Sequence, residues 1–571
     1  MVSGPMISPY SESLLVHFRR MESLKEEAIK FPSVDLNKRQ LCDLELLLNR
    51  AFYPLDGYLN QEDHESVLDT MRLTDGTVWP MPVCLDVDED FAATLRPGLR
   101  VAVRDKEGFM LAVLEVGDVW RADKEREAQA VFGTADAEKH PGVRRFYEQV
   151  KPWYVGGKLE GLHLPQHYDF PELRMMPSET HRLFSRRGWR NVIGFHTEGH
   201  LHRAHKEMIL RAAREAGAGI FIQPVVGRPG LDDMDHFTLV RCCREFVKKF
   251  PKNMAMVGLI TMAARLAGPR EALWQAIVRR NFGCTHFMVA DDHADPLAVN
   301  GTEDSFYPKG RAQELVLEFA DEIDIKPVSV KRMVYVEDKA QYIPEDEVRP
   351  GMDVKSITPE ELRRRLEFDL EIPRWFSFPE VTAELRKAYP PRHRQGFTIF
   401  LSGLSGAGKS TLAKVLQVKF MEMRDRPVTL LDGDIVRKNL SSELTYTKEH
   451  RNLNITRIGF VASEITKNRG IAICAPIAPY EESRRVNREL IGAYGGYVEV
   501  YMSTPIEVCE QRDRKGIYAK ARAGMMKGVT GVDDPYVPPS NPELTLDTTN
   551  LSPTEAAQEV LLYLGEQGYM K

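Results

Sequence analysis

The chain has 571 residues, 43% hydrophobic and 28% charged, enough apolar material for several cores. At about 100–200 residues per domain, that length predicts roughly three to five domains. Lys+Arg total 77 against Asp+Glu 83, a net charge of -6. A chain so nearly balanced is not expected to be a dedicated nucleic-acid binder, and any anion site in it must be built locally. Seven cysteines, at 42, 84, 242, 243, 284, 474 and 509, form no CxxC pair and read as buried reduced thiols of a cytoplasmic protein. The N-terminus shows no signal-peptide pattern, and no run approaches about 18 uninterrupted apolar residues, so no membrane partner is expected.

In chain order, residues 1–168 mix short strand patterns with turns. TVWPMPVCLDV (77–87) reads as one such pattern, and LRVAVRDKEGFMLAVLEV (99–116) as two strands around an Asp105–Gly108 turn, predicting a β-rich domain. Residues 169–325 alternate strands (NVIGF, 191–195; HFMVA, 286–290) with long helical patterns (204–217), which predicts an α/β domain on a parallel sheet. Residues 326–390 are charged and dotted with Pro, and read as a small subdomain plus linker that ends in AYPPRHRQG (388–396). Residues 391–571 alternate again, with FTIFLSG, PVTLLDGD, GIAICAPI and YVEVYMST as strands. A closing helix is predicted, with Ser552 as N-cap, Pro553 at its first position, Glu555 completing a capping box and Gly565 as C-cap.

The last block carries the strongest motif. Strand Phe397–Leu401 runs into Gly403-x-x-x-x-Gly408-Lys409-Ser410 and then into a helix with Leu412, Val415 and Leu416 on one face. Gly403, Ser405, Gly406, Ala407, Gly408, Lys409, Ser410 and Thr411 form a loop whose backbone N–H groups can wrap phosphates at a helix N-terminus. Lys409 would reach the β/γ-phosphates of ATP, and the Ser410 hydroxyl would ligate Mg²⁺. Leu431-Asp432-Gly433-Asp434-x-x-Arg437 follows at a strand end, where carboxylates suit Mg²⁺ organisation or proton acceptance from an attacking hydroxyl. Between 511 and 528, the bases Arg512, Arg514, Lys515, Lys520, Arg522 and Lys527 outnumber the single acid Asp513, the pattern of a basic lid.

GLSGAGKST, LDGDIVRKNL, Arg451–Asn454, PIAPY (476–480) and RKGIYAKARAG…KGVTGVDDPY together resemble adenylylsulfate (APS) kinase over essentially the whole block. The resemblance implies transfer of the ATP γ-phosphoryl group to the 3′-hydroxyl of adenosine 5′-phosphosulfate, with Lys409 and Asp434 as catalytic residues. It implies that Arg437, Tyr446, Arg451, Asn454, Ile477 and Lys527 hold that acceptor. Tyr446 stands where the family usually has Phe, and Ile435 replaces the Asn of DGDN. Ala478 replaces a Ser that can be phosphorylated in many members, which leaves direct in-line transfer.

The first 390 residues resemble ATP sulfurylase nearly end to end, in LNKRQLCDLELLLNRAFYPLDGYLNQ, PVVGRPGLDDMDH, AARLAGPREALWQAIVRRNFGCTHFMV, FYPKGRAQELV and EIPRWFSFPEV. The fold it implies is a β-rich N-terminal domain followed by a nucleotidyltransferase-like α/β domain. The active-site motifs depart from the pattern. The family run Gln-Thr-Arg-Asn-Pro-x-His-x-x-His reads His196-Thr197-Glu198-Gly199-His200-Leu201-His202-Arg203-Ala204-His205. Gly-Arg-Asp-His-Ala-Gly-Pro reads Ala290-Asp291-Asp292-His293-Ala294-Asp295-Pro296. Glu198 and Asp291 thus stand where the family has Arg, with Arg203, Lys206 and Arg228 as nearby bases that could compensate. Three readings stay open: an active sulfurylase, a domain that has lost the chemistry, and a Zn²⁺ site built from His196, His200, His202, His205, Asp291, Asp292 and His293. The expectation is an APS kinase with a weak or inactive sulfurylase, the alternative being the fully bifunctional enzyme. No tightly bound cofactor is expected beyond Mg²⁺ with ATP. The resemblances imply a homo-oligomer, at least a dimer.

Overall fold

The computed structural model describes residues 13–226, 236–297 and 305–570. Packing divides the chain into two compact units, Met1–Leu362 with Glu371–Ala388, and Arg363–Leu370 with Tyr389–Lys571.

The first unit opens with a mixed six-stranded sheet in the order Ser33–Asp35, Arg100–Arg104, Met110–Arg121, Trp153–Gly161, Gly57–Tyr58, with Leu85–Val87 also pairing Trp153–Gly161. The hairpin read from 99–116 forms, and Gly108 N–H donates to the Asp105 carbonyl at 3.0 Å inside its turn. Of the run 77–87, only Leu85–Val87 is strand. Pro80 and Pro82 explain the shortening, since neither has an N–H to give to a ladder.

The second sheet is parallel, in the order Ile260–Thr261, Gly219–Val226, Val192–Thr197, His286–Val289, Lys326–Ser329, with Ala255–Val257 beside Gly219–Val226. Its inner strand Gly219–Val226 is buried throughout, and its neighbours Val192–Thr197 and His286–Val289 are mostly buried, whereas the edge strand Lys326–Ser329 is partly exposed. Helix Gly268–Asn281 is itself buried nearly all round. An antiparallel three-stranded sheet, Met333–Val336, Gln341–Pro344 and Val354–Lys355, completes the unit.

The second unit is a five-stranded parallel sheet in the order Val428–Asp432, Ile471–Ala475, Phe397–Gly403, Gly496–Met502, Leu544–Leu546. Helix Lys409–Met423 packs against it and against the closing helix Pro553–Glu566. The capping box of that closing helix forms, with Ser552 Oγ accepting from Glu555 N–H and the Glu555 carboxylate accepting from Ser552 N–H. Gly565 lies inside the helix rather than capping it, and the chain turns at Gly568, which takes φ +78°.

All seven cysteines are buried and none is in a disulfide. Among the described residues, no helix is long and apolar enough to cross a membrane.

Candidate active site

In the second unit the phosphate loop lies at the carboxyl end of the central strand, where ligands bind in open α/β sheets. Gly406 has φ +81°, and a Cβ there would come within 2.8 Å of the Cys509 carbonyl oxygen. Gly408 has φ +97° and is the N-cap of helix Lys409–Met423, so the loop hands directly to a helix N-terminus. Ala407 is buried beneath the loop. Lys409 Nζ donates to the carbonyls of Gly403 (2.8 Å) and Leu404 (2.6 Å). Burial pushes its ammonium down to about 8, and the charge of Lys515 adds to that, while Cys509, Asp432 and Asp434 oppose it. Ser405, Ser410 and Thr411 lie on the rim, with Ser410 and Thr411 exposed.

Two carboxylates share the end of strand Val428–Asp432. Asp432 caps helix Gly433–Leu440 through the Asp434 N–H, and its other oxygen accepts from Ser410 Oγ at 3.0 Å. Asp434 is exposed and pairs with Lys515 of the lid. The structure therefore separates two carboxylates that the motif left together. Asp432 and Ser410 are the paired oxygens that could hold a divalent cation, and Asp434 faces the open side. The sequence offered both carboxylates for Mg²⁺ organisation or proton acceptance, and only the contacts of Ser410 and Lys515 distinguish them.

The acceptor-side residues cluster around the loop 444–451. Arg437 donates to the carbonyls of Leu444 and Thr445, both at 3.1 Å, and its guanidinium lies 4.4 Å from the Tyr446 ring centroid. Tyr446 is exposed. Arg451 donates through Nε to the Tyr446 carbonyl (2.8 Å), pairs with Asp534 at 2.9 Å, and bonds Gly528 at the end of the lid. It is thus a strut between the Tyr446 loop and the lid base, which sequence reading, treating it only as a substrate contact, did not reveal. Asn454 is buried with an Oδ1 that has no hydrogen-bond partner, an acceptor waiting for a donor. The backbone of Ile477 accepts from Gly403 N–H, which sets that residue beside the phosphate loop. Lys527 is exposed on the lid. Ala478 is fully buried at φ +49°.

In the first unit, both altered motifs lie at the carboxyl ends of neighbouring parallel strands, Val192–Thr197 and His286–Val289. His196, Glu198, His293 and the unforeseen Arg279 come together there. Arg279 is fully buried on helix Gly268–Asn281, and its Nη2 lies 2.6 Å from His196 Nδ1. A guanidinium can only donate, so Nδ1 is the lone-pair nitrogen and Nε2 carries the proton that reaches Glu198 at 3.2 Å. Glu198 thereby balances the Arg279 charge through one imidazole. The Arg-Arg-Asn sequence of that helix was the signal for Arg279, masked by its place in a helical pattern. His293 Nε2 donates to Gln275 Oε1 at 2.9 Å, and its ring lies 5.6 Å from that of His196.

Thr197 Oγ1 donates to the Gly199 carbonyl at 2.9 Å, closing the turn after the strand. His202 caps helix Arg203–Glu215, with its Nδ1 2.9 Å from Ser377 Oγ and its ring 4.4 Å from Phe376. His205 Nδ1 accepts from the His202 N–H at 3.0 Å. Burial pushes His200 and His205 down to about 4 and His293 to about 3, so all three are neutral at pH 7. Asp291 and Asp292 are exposed.

Two of the three compensating bases point elsewhere. The Arg203 guanidinium lies 4.4 Å from the Phe378 ring centroid, and Lys206 pairs with Glu207 at 3.7 Å. Arg228 lies outside the described residues. The donors named for Zn²⁺ do not gather: among the described residues, no group of three or more His, Cys, Asp or Glu could hold a metal ion. The reason is local, since His196, His202, His205 and His293 are each committed to another partner.

The ATP-sulfurylase family model matches residues 171–388, the adenylylsulphate kinase model residues 395–547, and a PUA-like domain model residues 8–164. A sulfate adenylyltransferase of Aspergillus fumigatus is 45% identical over 554 residues, covering 96% of this chain and 96% of the relative. One of Mycosarcoma maydis is 45% identical over 550 residues, covering 95% and 96%. Among solved structures, a hexameric APS kinase from Thiobacillus denitrificans superposes with a TM-score of 0.79 at 40% identity, covering 98% of this chain and 97% of that one. The chain therefore belongs to the sulfate adenylyltransferase family and carries, in order, a PUA-like domain, an ATP-sulfurylase domain and an adenylylsulphate kinase domain.

Proposed function

We propose that the C-terminal domain transfers the γ-phosphoryl group of ATP to the 3′-hydroxyl of adenosine 5′-phosphosulfate. The observation that carries this reading is the convergence of Lys409, Ser410, Asp432 and Asp434 on one end of the sheet. The N–H groups of 403–411 wrap the ATP phosphates, and Lys409 exchanges its loop carbonyls for β/γ-phosphate oxygens. Ser410 and Asp432 would hold Mg²⁺, which supplies charge neutralisation on the polyphosphate. Tyr446 stacks on the acceptor's adenine beside Ile477, while Arg437, Arg451, Asn454 and Lys527 meet its polar groups. Asp434 takes the proton from the attacking hydroxyl. The test is ADP formation by the full chain. Release that depends on adenosine 5′-phosphosulfate supports the reading, and release that ignores this acceptor overturns it.

For the N-terminal block, the local charge supports weak or absent sulfurylase activity. Sulfate and the ATP α-phosphate are both anions, yet Glu198 and Asp291 replace two cations, and the buried Arg279 is already balanced by Glu198. A unit-charge pair about 5 Å apart is worth about 3 kcal/mol at an effective dielectric of 20, and each reversal changes its sign. The second reading, a fully bifunctional enzyme, is favoured by the full-length relatives named sulfate adenylyltransferase. Pyrophosphate release from ATP with sulfate, pulled by pyrophosphatase, separates the two. We expect a sulfate-dependent rate far below the kinase rate, and a comparable rate establishes the bifunctional enzyme. We propose further that the blocks divide at 168, 325 and 390, and that the chain forms at least a dimer, which the hexameric relative supports.

A further inference from the structure

Lys515 sits in the turn between helices Ile506–Arg512 and Ile517–Arg522. That turn is pinned on both sides. Arg512 reaches under the phosphate loop to Thr548 Oγ1 (2.8 Å) and the Thr548 carbonyl (2.6 Å). Tyr518 is buried, and its hydroxyl donates to the Ser405 carbonyl at 2.8 Å. The Asp513 carboxylate accepts from the N–H groups of Ile517 (2.8 Å) and Ala519 (2.9 Å). A base held this way has little freedom of backbone.

The other lid bases sort differently. Arg512 is consumed by Thr548, and Arg522 pairs with Glu510 at 2.6 Å. Arg514, Lys520 and Lys527 are exposed. Lys515 alone contacts a carboxylate of the phosphate-loop end, bonding Asp434, and it lies close enough for its charge to weigh on Lys409. The pair is 60% and 76% exposed, and a pair so open to water contributes little to stability. Its position is therefore the informative feature.

We propose that Lys515 is a catalytic residue, the lid-borne cation that leaves Asp434 for the transferring phosphoryl group. The proposal rests on the kinase reading above. The acceptor hydroxyl oxygen forms the new bond to the γ-phosphorus as the bond to the β,γ-bridging oxygen breaks. ADP leaves with that electron pair, and the hydroxyl proton passes to Asp434. Negative charge moves toward the bridging oxygen, between Lys409 on one side and Lys515 on the other. Release of Lys515 also frees the carboxylate to accept the proton. A cation preplaced where charge develops accelerates the chemical step more than it tightens ground-state binding.

The test is steady-state kinetics of full-length Lys515→Ala, Lys515→Met and Lys515→Arg with ATP and adenosine 5′-phosphosulfate. The Met variant keeps the aliphatic stem, and an unchanged thermal transition confirms folding. We expect kcat to fall by about 10²-fold in the Ala and Met variants, with both KM values within about threefold and Arg recovering at least about tenfold. A kcat within about threefold of the parent, or a loss confined to KM, overturns the proposal and leaves the kinase reading standing. A parent chain that shows no acceptor-dependent ADP formation overturns both.

Discussion

Lys409 shows how one residue is prepared for its chemistry. Its ammonium is buried and holds two loop carbonyls, so the cation is already desolvated and fixed at the phosphate loop. Lys409→Ala removes an electrostatic contribution of several kcal/mol in comparable sites, and kcat should fall by about 10²-fold or more. Initial-rate kinetics on the full chain check this; near-normal turnover would mean that the phosphate loop has another role. Both the residue and its place at the phosphate loop were legible in the sequence, because the motif specifies backbone and side chain together. Arg451 was legible only as a residue. Its pairing with Asp534 spans 83 positions of chain, and no local pattern encodes it.

Among elements, the closing helix Pro553–Glu566 follows its local signals most closely. Its N-terminus is satisfied by Ser552 and Glu555, and Ala556, Ala557, Val560 and Leu564 form its buried face. Ser552→Ala orphans a helix N–H and should cost about 1 kcal/mol. All six tryptophans (79, 120, 153, 189, 274 and 375) lie in the first unit. The loss should therefore appear in calorimetry as a shift of the transition that tryptophan fluorescence does not follow. An unshifted transition would mean that the helix is held by packing on Lys409–Met423 alone. The Gly565 expectation failed at the other end because a glycine tolerates the αR backbone as readily as a turn, and packing of Leu564 carries the helix past it.

At the scale of the whole molecule, the first unit carries a pH liability. His140, His200 and His205 are pushed to about 4 and His293 to about 3, each chiefly by burial. Their unfolded value is about 6.5, so the unfolded state binds more protons between the two values. The stability that comes from keeping them neutral is present at neutral pH and is lost as pH falls through 6.5 toward 4. Each imidazole held near 4 should cost about 2 kcal/mol between pH 7.5 and pH 5. The urea midpoint read by tryptophan fluorescence should therefore be lower at pH 5 than at pH 7.5. An unchanged midpoint would show that these rings are hydrated.

The two parallel sheets and the phosphate loop follow from short-range pattern: apolar runs of strand length, helical periodicity, and glycines where the backbone must take positive φ. The acids Glu198 and Asp291 were equally plain in the sequence. Tertiary structure alone decided what Glu198 meets. Arg279 lies 83 residues from His196 and reads as one more helical residue, yet the parallel sheet brings its guanidinium to the imidazole that Glu198 faces. The partners of Asp432 and Asp434 were decided the same way, a serine 22 residues from one and a lysine 81 residues from the other. Backbone conformation is set by neighbours in sequence, whereas the partner of a charge is set by which strand ends meet in space.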